Sequence, residues 1–189
     1  MRPQLYLFAS GLFNQPTPAR LEMQRGLLAQ LLYAPWRETL IALEPQLNYN
    51  EELEAEYSRL FILAFPNVVV QPFGSYWLDE DQRLMGKSSL EIQEMMASHG
   101  VEIAENSGLL PDHIVSELEF MAYLASQEDT QQTQQQLLEQ HLARWTPQFT
   151  AALRAAKPAP YYRLAADFLD QLIDSDTQEK ILNEYPQQI

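Results

Sequence analysis

Two short segments hold most of the residues that could do chemistry in this chain. The first runs Pro72-Phe73-Gly74-Ser75-Tyr76-Trp77-Leu78 and continues through Asp79-Glu80-Asp81 to Leu84-Met85-Gly86. Its aromatics follow no helical period, so the sequence predicts an irregular loop, and large apolar groups on a loop are either a plug beneath it or a binding surface. Gly74 permits close backbone approach, and the acids beside the apolar patch suit a peptide that is both apolar and basic. The second segment, Pro111-Asp112-His113 followed by Glu117, predicts a helix opening on Asp112-His113. A first-turn carboxylate is favoured by unsatisfied N–H groups, so Asp112 either simply starts the helix or accepts a cationic ligand such as a guanidinium. His113 and Glu117 stand at i, i+4 and could touch. The candidate binding set is Pro72, Phe73, Gly74, Ser75, Tyr76, Trp77, Leu78, Gly86, Asp112, His113 and Glu117.

Known catalytic and nucleotide signatures are missing. The chain has no H-E-x-x-H, G-x-S-x-G or phosphate-binding glycine loop, and only six glycines. His113 and Glu117 have no third ligand nearby in sequence, so no metal site is assigned, nor any cofactor site. His99 suits a helix C-terminus beside Gly100, and His141 is placed mid-helix one turn before Trp145.

The elements that must hold these segments read as helices. Leu21, Leu28, Leu31 and Leu32 form a stripe behind Thr17-Pro18, which has the form of an N-cap and first helical position. Leu53, Tyr57, Leu60, Phe61 and Ala64 form another, which Pro66 ends, and their spacing marks Tyr57, Leu60 and Phe61 as core. Ser88 with Glu91 has capping-box spacing ahead of a helix closing at Gly100. Ile114, Leu118, Met121 and Ala125 line the helix after His113. Thr146-Pro147 repeats the cap signature before Phe149 and Leu153, and Tyr161, Ala165, Phe168 and Leu172 line a last helix after Pro158 and Pro160. Val68-Val69-Val70 is too short for a sheet. The expected class is all-α, about eight to ten helices in one globular domain over 1–189. Two lobes, about 1–127 and 128–189, could meet at a hinge near 126–136, although the polar run from Glu128 to Gln136 also reads as an exposed helix start.

Composition limits the partners. The 189 residues carry a net charge of −14, which excludes nucleic acid and leaves either a basic partner or plain solubility. No cysteine is present, consistent with a reducing, cytoplasmic setting. The longest apolar run, Leu60 to Phe65, falls short of the roughly 20 residues that span a bilayer, so no membrane insertion is expected. The N-terminus, with Arg2 ahead of Leu5-Tyr6-Leu7-Phe8-Ala9, reads as a first helix packed on the body rather than as a signal peptide.

These motifs, in order, resemble the TorD/DmsD/NarJ group of redox-enzyme maturation chaperones. The resemblance rests on Glu56-Tyr57-Ser58-Arg59-Leu60-Phe61, the run from Pro72 to Asp79, Leu84-Met85-Gly86, and Pro111-Asp112-His113 with Glu117-Leu118-Glu119-Phe120-Met121. His141 through Phe149 and Pro160 through Ala165 extend it over most of the chain, and the loop is most similar to the DmsD-like branch. The family pattern often reads Glu-Pro-x-Asp-His, whereas Leu109 and Leu110 stand at its first two positions here.

The resemblance implies an all-helical, non-catalytic, cytoplasmic protein. Such a protein binds the twin-arginine leader, and often the body, of a molybdopterin-dependent oxidoreductase catalytic subunit until its cofactor is inserted. On that reading Asp112 meets a guanidinium, His113 positions it, and Phe73, Trp77 and Leu78 take the apolar stretch. Monomer and domain-swapped homodimer are both compatible with it. Two alternatives stand beside it: a nucleotide- or molybdenum-cofactor-binding maturation factor using Asp112, His113 and Glu117, and a generic helical adaptor whose aromatic loop is a dimer seam.

Overall fold

The computed structural model describes residues 2–32, 36–62, 68–105 and 107–184, with side chains as far as residue 178. The elements are α1 (Arg2–Phe13), α2 (Pro18–Leu31), α3 (Arg37–Leu43), a 3-10 turn (Glu44–Gln46), α4 (Glu51–Phe61), α5 (Gly74–Leu78), α6 (Lys87–Ser98), α7 (Ile114–Ser126), α8 (Gln131–Leu137), a π turn (Leu138–Leu142), α9 (Ala143–Ala155) and α10 (Pro160–Glu184). Because α8, the π turn and α9 follow one another without a break, they form one irregular rod. Among the described residues there is no strand, and the architecture is all-α as expected.

The core is built around α1. Tyr6, Phe8, Ala9 and Leu12 are fully buried, and the helix packs against α7, α10 and α2. Phe8 meets Phe168 of α10 edge-on at 5.2 Å, and Phe13 meets Phe149 of α9 at 5.4 Å. Arg2 pairs with Asp176 at 2.8 Å while the Tyr6 hydroxyl donates to the same carboxylate at 2.6 Å, tying the start of α1 to α10. The expected stripes on α2, α7 and α10 are the faces that enter the core: Leu21, Leu28, Leu31, Ile114, Leu118, Met121, Tyr161, Ala165, Phe168 and Leu172 are all buried. One continuous hydrophobic cluster includes residues on both sides of the 126–136 segment. That polar segment holds a turn and the exposed beginning of α8.

Local signals explain several boundaries. Thr17 accepts the Arg20 N–H at 3.2 Å and Pro18 opens α2, as the sequence predicts. Asn50 does the same for α4, accepting the Leu53 N–H at 2.7 Å ahead of three first-turn glutamates. The end of α6 is a Schellman turn: Gly100 takes φ +68, its N–H bonds Ala97, and Val101 N–H reaches back to Met96. The stop assigned to Pro66 and the stripe position Ala64 lie outside the described residues.

Two cap expectations fail. Ser88 does not cap α6, since Gly86 precedes its first residue and Ser88 lies inside the helix, buried. Instead Asp79 reaches over from the preceding loop and accepts both the N–H and the hydroxyl of Ser88, placing a carboxylate where the helix dipole favours one. Thr146-Pro147 does not start a helix either. Pro147 sits inside α9, because Trp145, Phe149 and Leu153 are wholly buried along its face and burial outweighs the lost ladder bond. The Thr146 hydroxyl donates to the Leu142 carbonyl at 2.8 Å.

Candidate functional site

The two motif segments meet backbone to backbone. Phe73 and His113 form an isolated antiparallel bridge in which Gly74 N–H donates to Asp112 O and Ile114 N–H to Pro72 O, each at 2.8 Å. The rings of Phe73 and His113 then meet edge-on at 5.1 Å. Sequence spacing carries no sign of this pairing, because the partners are 40 positions apart.

The expected irregular loop holds one helical turn, α5, packed between α6 and α9. Asp112 fixes it there. Its carboxylate is fully buried, with Oδ2 accepting the Ser75 N–H at 2.9 Å and Oδ1 the Ser89 hydroxyl at 2.8 Å. A carboxylate taken from water needs such donors, and here they come from α5 and α6. Asp112 is therefore turned inward, with both oxygens engaged.

His113 and Glu117 do not touch in the expected manner. His113 is the N-cap of α7 rather than part of its first turn, and its Nδ1 accepts the Val115 N–H at 3.1 Å. That bond requires an unprotonated Nδ1. Burial pushes the ring down to about 4 from its ordinary range, against the opposing pull of the Asp112 charge. Glu117 points instead at Trp145, whose indole N–H donates to Oε2 at 3.3 Å. Burial raises Glu117 well above the usual carboxylate range, against the Trp145 hydrogen bond that pulls it down. Among the described residues, its Oε1 and the Ser75 hydroxyl have no hydrogen-bond partner.

Gly74 is needed in this layer. A Cβ there would fall 2.9 Å from Glu117 Oε1 and 3.2 Å from Trp145 Nε1, closer than packed atoms tolerate. Gly86 is constrained in the same way by the Asp79 carboxylate folded over it.

The candidate residues, Gly86 apart, thus separate into three groups. Pro72, Phe73 and His113 line a cleft of about 200 Å³ together with Tyr57, Phe61, Arg20 and Leu109. Tyr76, Trp77 and Leu78 are half-buried on α5, with the Trp77 indole donating to the Gln71 carbonyl at 2.9 Å. Gly74, Ser75, Asp112 and Glu117 form the buried layer that carries them, and Gly86 stands at the far end of the loop, beside Asp79. Tyr57 and Phe61, read as core, also face the cleft, although Phe61 is buried as expected.

Sequence reasoning missed Ser89, Trp145 as a partner of Glu117, and Arg20. Ser89 follows Gly86 closely, but nothing in its spacing points to Asp112. His99 is the C-cap of α6 as expected, and His141 is buried in the π turn. No group of three potential metal ligands exists among the described residues, and no helix among them is long and apolar enough to cross a membrane.

This arrangement has relatives. Chaperone protein TorD of Psychrobacter sp. (strain PRwf-1) is 29% identical over 136 residues, covering 67% of this chain and 61% of the relative. Tat proofreading chaperone DmsD of Salmonella typhimurium is 32% identical over 115 residues, covering 60% and 54%. The chain therefore spans about three fifths of the length of these curated relatives. A crystal structure described as a redox enzyme maturation protein from Archaeoglobus fulgidus superposes with a TM-score of 0.65 at 28% identity, covering 91% of this chain and 93% of that one. The sequence profile of the nitrate reductase delta subunit matches residues 18–151, which take in both motif segments and the α5 clamp, and the chain belongs to that family, as a relative of the TorD- and DmsD-type redox-enzyme maturation chaperones.

Proposed function

We propose that this protein is a non-catalytic, cytoplasmic maturation chaperone. It binds the twin-arginine leader, and in part the body, of a molybdopterin-dependent oxidoreductase subunit and holds it back until its cofactor is in place. The observation that carries this reading is the half-exposed aromatic shelf of Phe73, Tyr76 and Trp77, braced from beneath by Asp112 and flanked by His113. Aromatic groups fixed on a rigid mount lose little entropy when an apolar peptide covers them. Asp79, Glu80 and Asp81 beside the shelf, within a chain of net charge −14, attract the arginines. Phe73, Trp77 and Leu78 take the apolar stretch, whereas Asp112 acts by positioning α5 rather than by meeting a guanidinium.

The test is titration of the full chain with a synthetic peptide of two consecutive arginines followed by twelve leucines and alanines. A peptide with glutamines in place of the arginines serves as control. The arginine peptide should bind more tightly, and its affinity should fall between about 50 and 500 mM salt, as the screening length shortens from roughly 14 to 4 Å. Absence of binding to either peptide would sink the reading; salt-independent binding would sink its electrostatic part.

One observation favours a second reading. Arg20 lines the Tyr57–His113 cleft and donates to the Gln15 carbonyl at 3.1 Å, and among the described residues it makes no ion pair. A phosphate-bearing nucleotide or molybdenum cofactor would match it. Stabilisation by guanosine triphosphate that Arg20→Gln abolishes would support that reading.

A further inference from the structure

Beyond the shelf, a second concavity of about 290 Å³ lies between the end of α6, residues 101–104 and 107–109, and α7. Its wall is apolar: Met96, Val101, Ile103, Leu109, Phe120 and Tyr123. The Schellman turn at Gly100 makes this wall, because the left-handed residue folds Val101 back over Met96. Phe120 and Met96 are buried, Val101, Ile103 and Leu109 are half-buried, and Tyr123 is exposed.

The charged residues that line it have one sign. Among the described residues, Glu102 and Glu119 line the concavity and no basic residue does. Glu119 is exposed and accepts no hydrogen bond among the described residues; the desolvation its neighbours impose raises its carboxyl above the ordinary range, and Arg20, outside the concavity, is the cation that opposes this. A carboxylate so placed gains from a cation brought to it. Ser107 and Leu109 line both this concavity and the Phe73–His113 cleft. The two therefore adjoin across a single strip of chain, and an extended peptide could run from one into the other.

We propose that this groove is a docking site for a leader segment in which an apolar stretch is flanked by arginine, with the apolar side chains on Val101, Ile103 and Phe120 and the guanidinium at Glu119 and Glu102. The volume is at the bottom of the range usual for small-molecule sites, about 300–1,000 Å³, and fits individual side chains of an extended segment. This inference rests on the leader-binding reading and extends it to a surface outside the aromatic shelf.

The experiment titrates the full chain with the same two peptides, comparing the parent with Ile103→Asp, Ile103→Ala, Glu119→Gln and, on the shelf, Trp77→Ala, after thermal melts show that each is folded. Ile103→Asp should weaken the arginine peptide at least 10-fold and Ile103→Ala by about 3-fold. Glu119→Gln should weaken the arginine peptide 3- to 10-fold and leave the glutamine peptide unchanged. If the parent binds, Trp77→Ala weakens binding, and all three groove variants bind as the parent does, the groove is overturned while the leader reading stands. If the parent binds neither peptide, both fall. Because the chain has no cysteine, Ile103→Cys adds a unique thiol as an independent readout. Saturating peptide should slow its alkylation at least 5-fold, and an unchanged rate counts against the groove.

Discussion

The Asp112 carboxylate accepts the Ser75 N–H at 2.9 Å from a position 37 residues away in sequence, and so clamps the first turn of α5 to the start of α7. Its other oxygen holds Ser89 on α6. One side chain therefore joins three elements.

Replacing it should be felt first in stability. Asp112→Asn keeps the shape but loses the charge that strengthens two buried hydrogen bonds, which should cost about 1–3 kcal/mol. For a chain of this size that is a fall in Tm of roughly 2–4 °C per kcal/mol. Peptide affinity should fall in parallel as α5 loosens. An unchanged Tm with lost affinity would instead make Asp112 a direct contact.

Two glycines should respond with opposite signs. Gly74→Ala drives a Cβ into Glu117 and Trp145, and overpacking of this kind costs about 1–3 kcal/mol. Gly26 lies exposed inside α2 with nothing near its absent Cβ, so Gly26→Ala should stabilise by about 0.5–1 kcal/mol. Denaturant midpoints of the two variants decide the point, and equal shifts would show that the close contact at Gly74 is not tight.

Phe61 and Trp77 separate core from shelf. Phe61 packs against Tyr162 at 5.5 Å and Phe149 at 6.3 Å and is buried, so Phe61→Ala should cost about 3–5 kcal/mol through the cavity it leaves. Trp77 is half-buried with one hydrogen bond to Gln71. Trp77→Ala should cost much less stability but at least about 2 kcal/mol of leader affinity. If it unfolds the protein as readily as Phe61→Ala, the shelf is a plug.

His113 makes the fold sensitive to acid. Its ring is held neutral down to about 4, whereas the unfolded ring titrates near 6.5. The stability it contributes is therefore present above pH 6.5 and lost as the pH falls toward 4; the gap corresponds to about 3 kcal/mol. Glu117, raised by burial, acts in the opposite direction, favouring the fold at low pH and losing that contribution as the pH rises. His113→Asn keeps a capping acceptor without the titration. Between pH 7 and 4.5 it should lose less stability than the parent, and identical losses would show that His113 is not the responsible group.

Helix identity was written in the sequence because it depends on neighbours three and four residues apart. Thr17-Pro18, the stripe from Ile114 to Met121 and the stripe from Tyr161 to Leu172 all appear where their periods put them. The same short-range logic misplaced Ser88 and Thr146-Pro147, where contacts from distant segments prevail. Asp79 supplies the cap that Ser88 was expected to make, and burial of Trp145 and Phe149 carries α9 through Pro147. At the site, residue types alone marked Phe73, Trp77, Asp112 and His113 as unusual, because aromatics without a period and an acid beside a histidine serve no helix face. Which way each one faces was decided only by the tertiary structure. The Phe73–His113 bridge turns Asp112 inward and His113 toward the cleft, since backbone pairing fixes side-chain direction and the partners that satisfy a buried carboxylate lie on other helices.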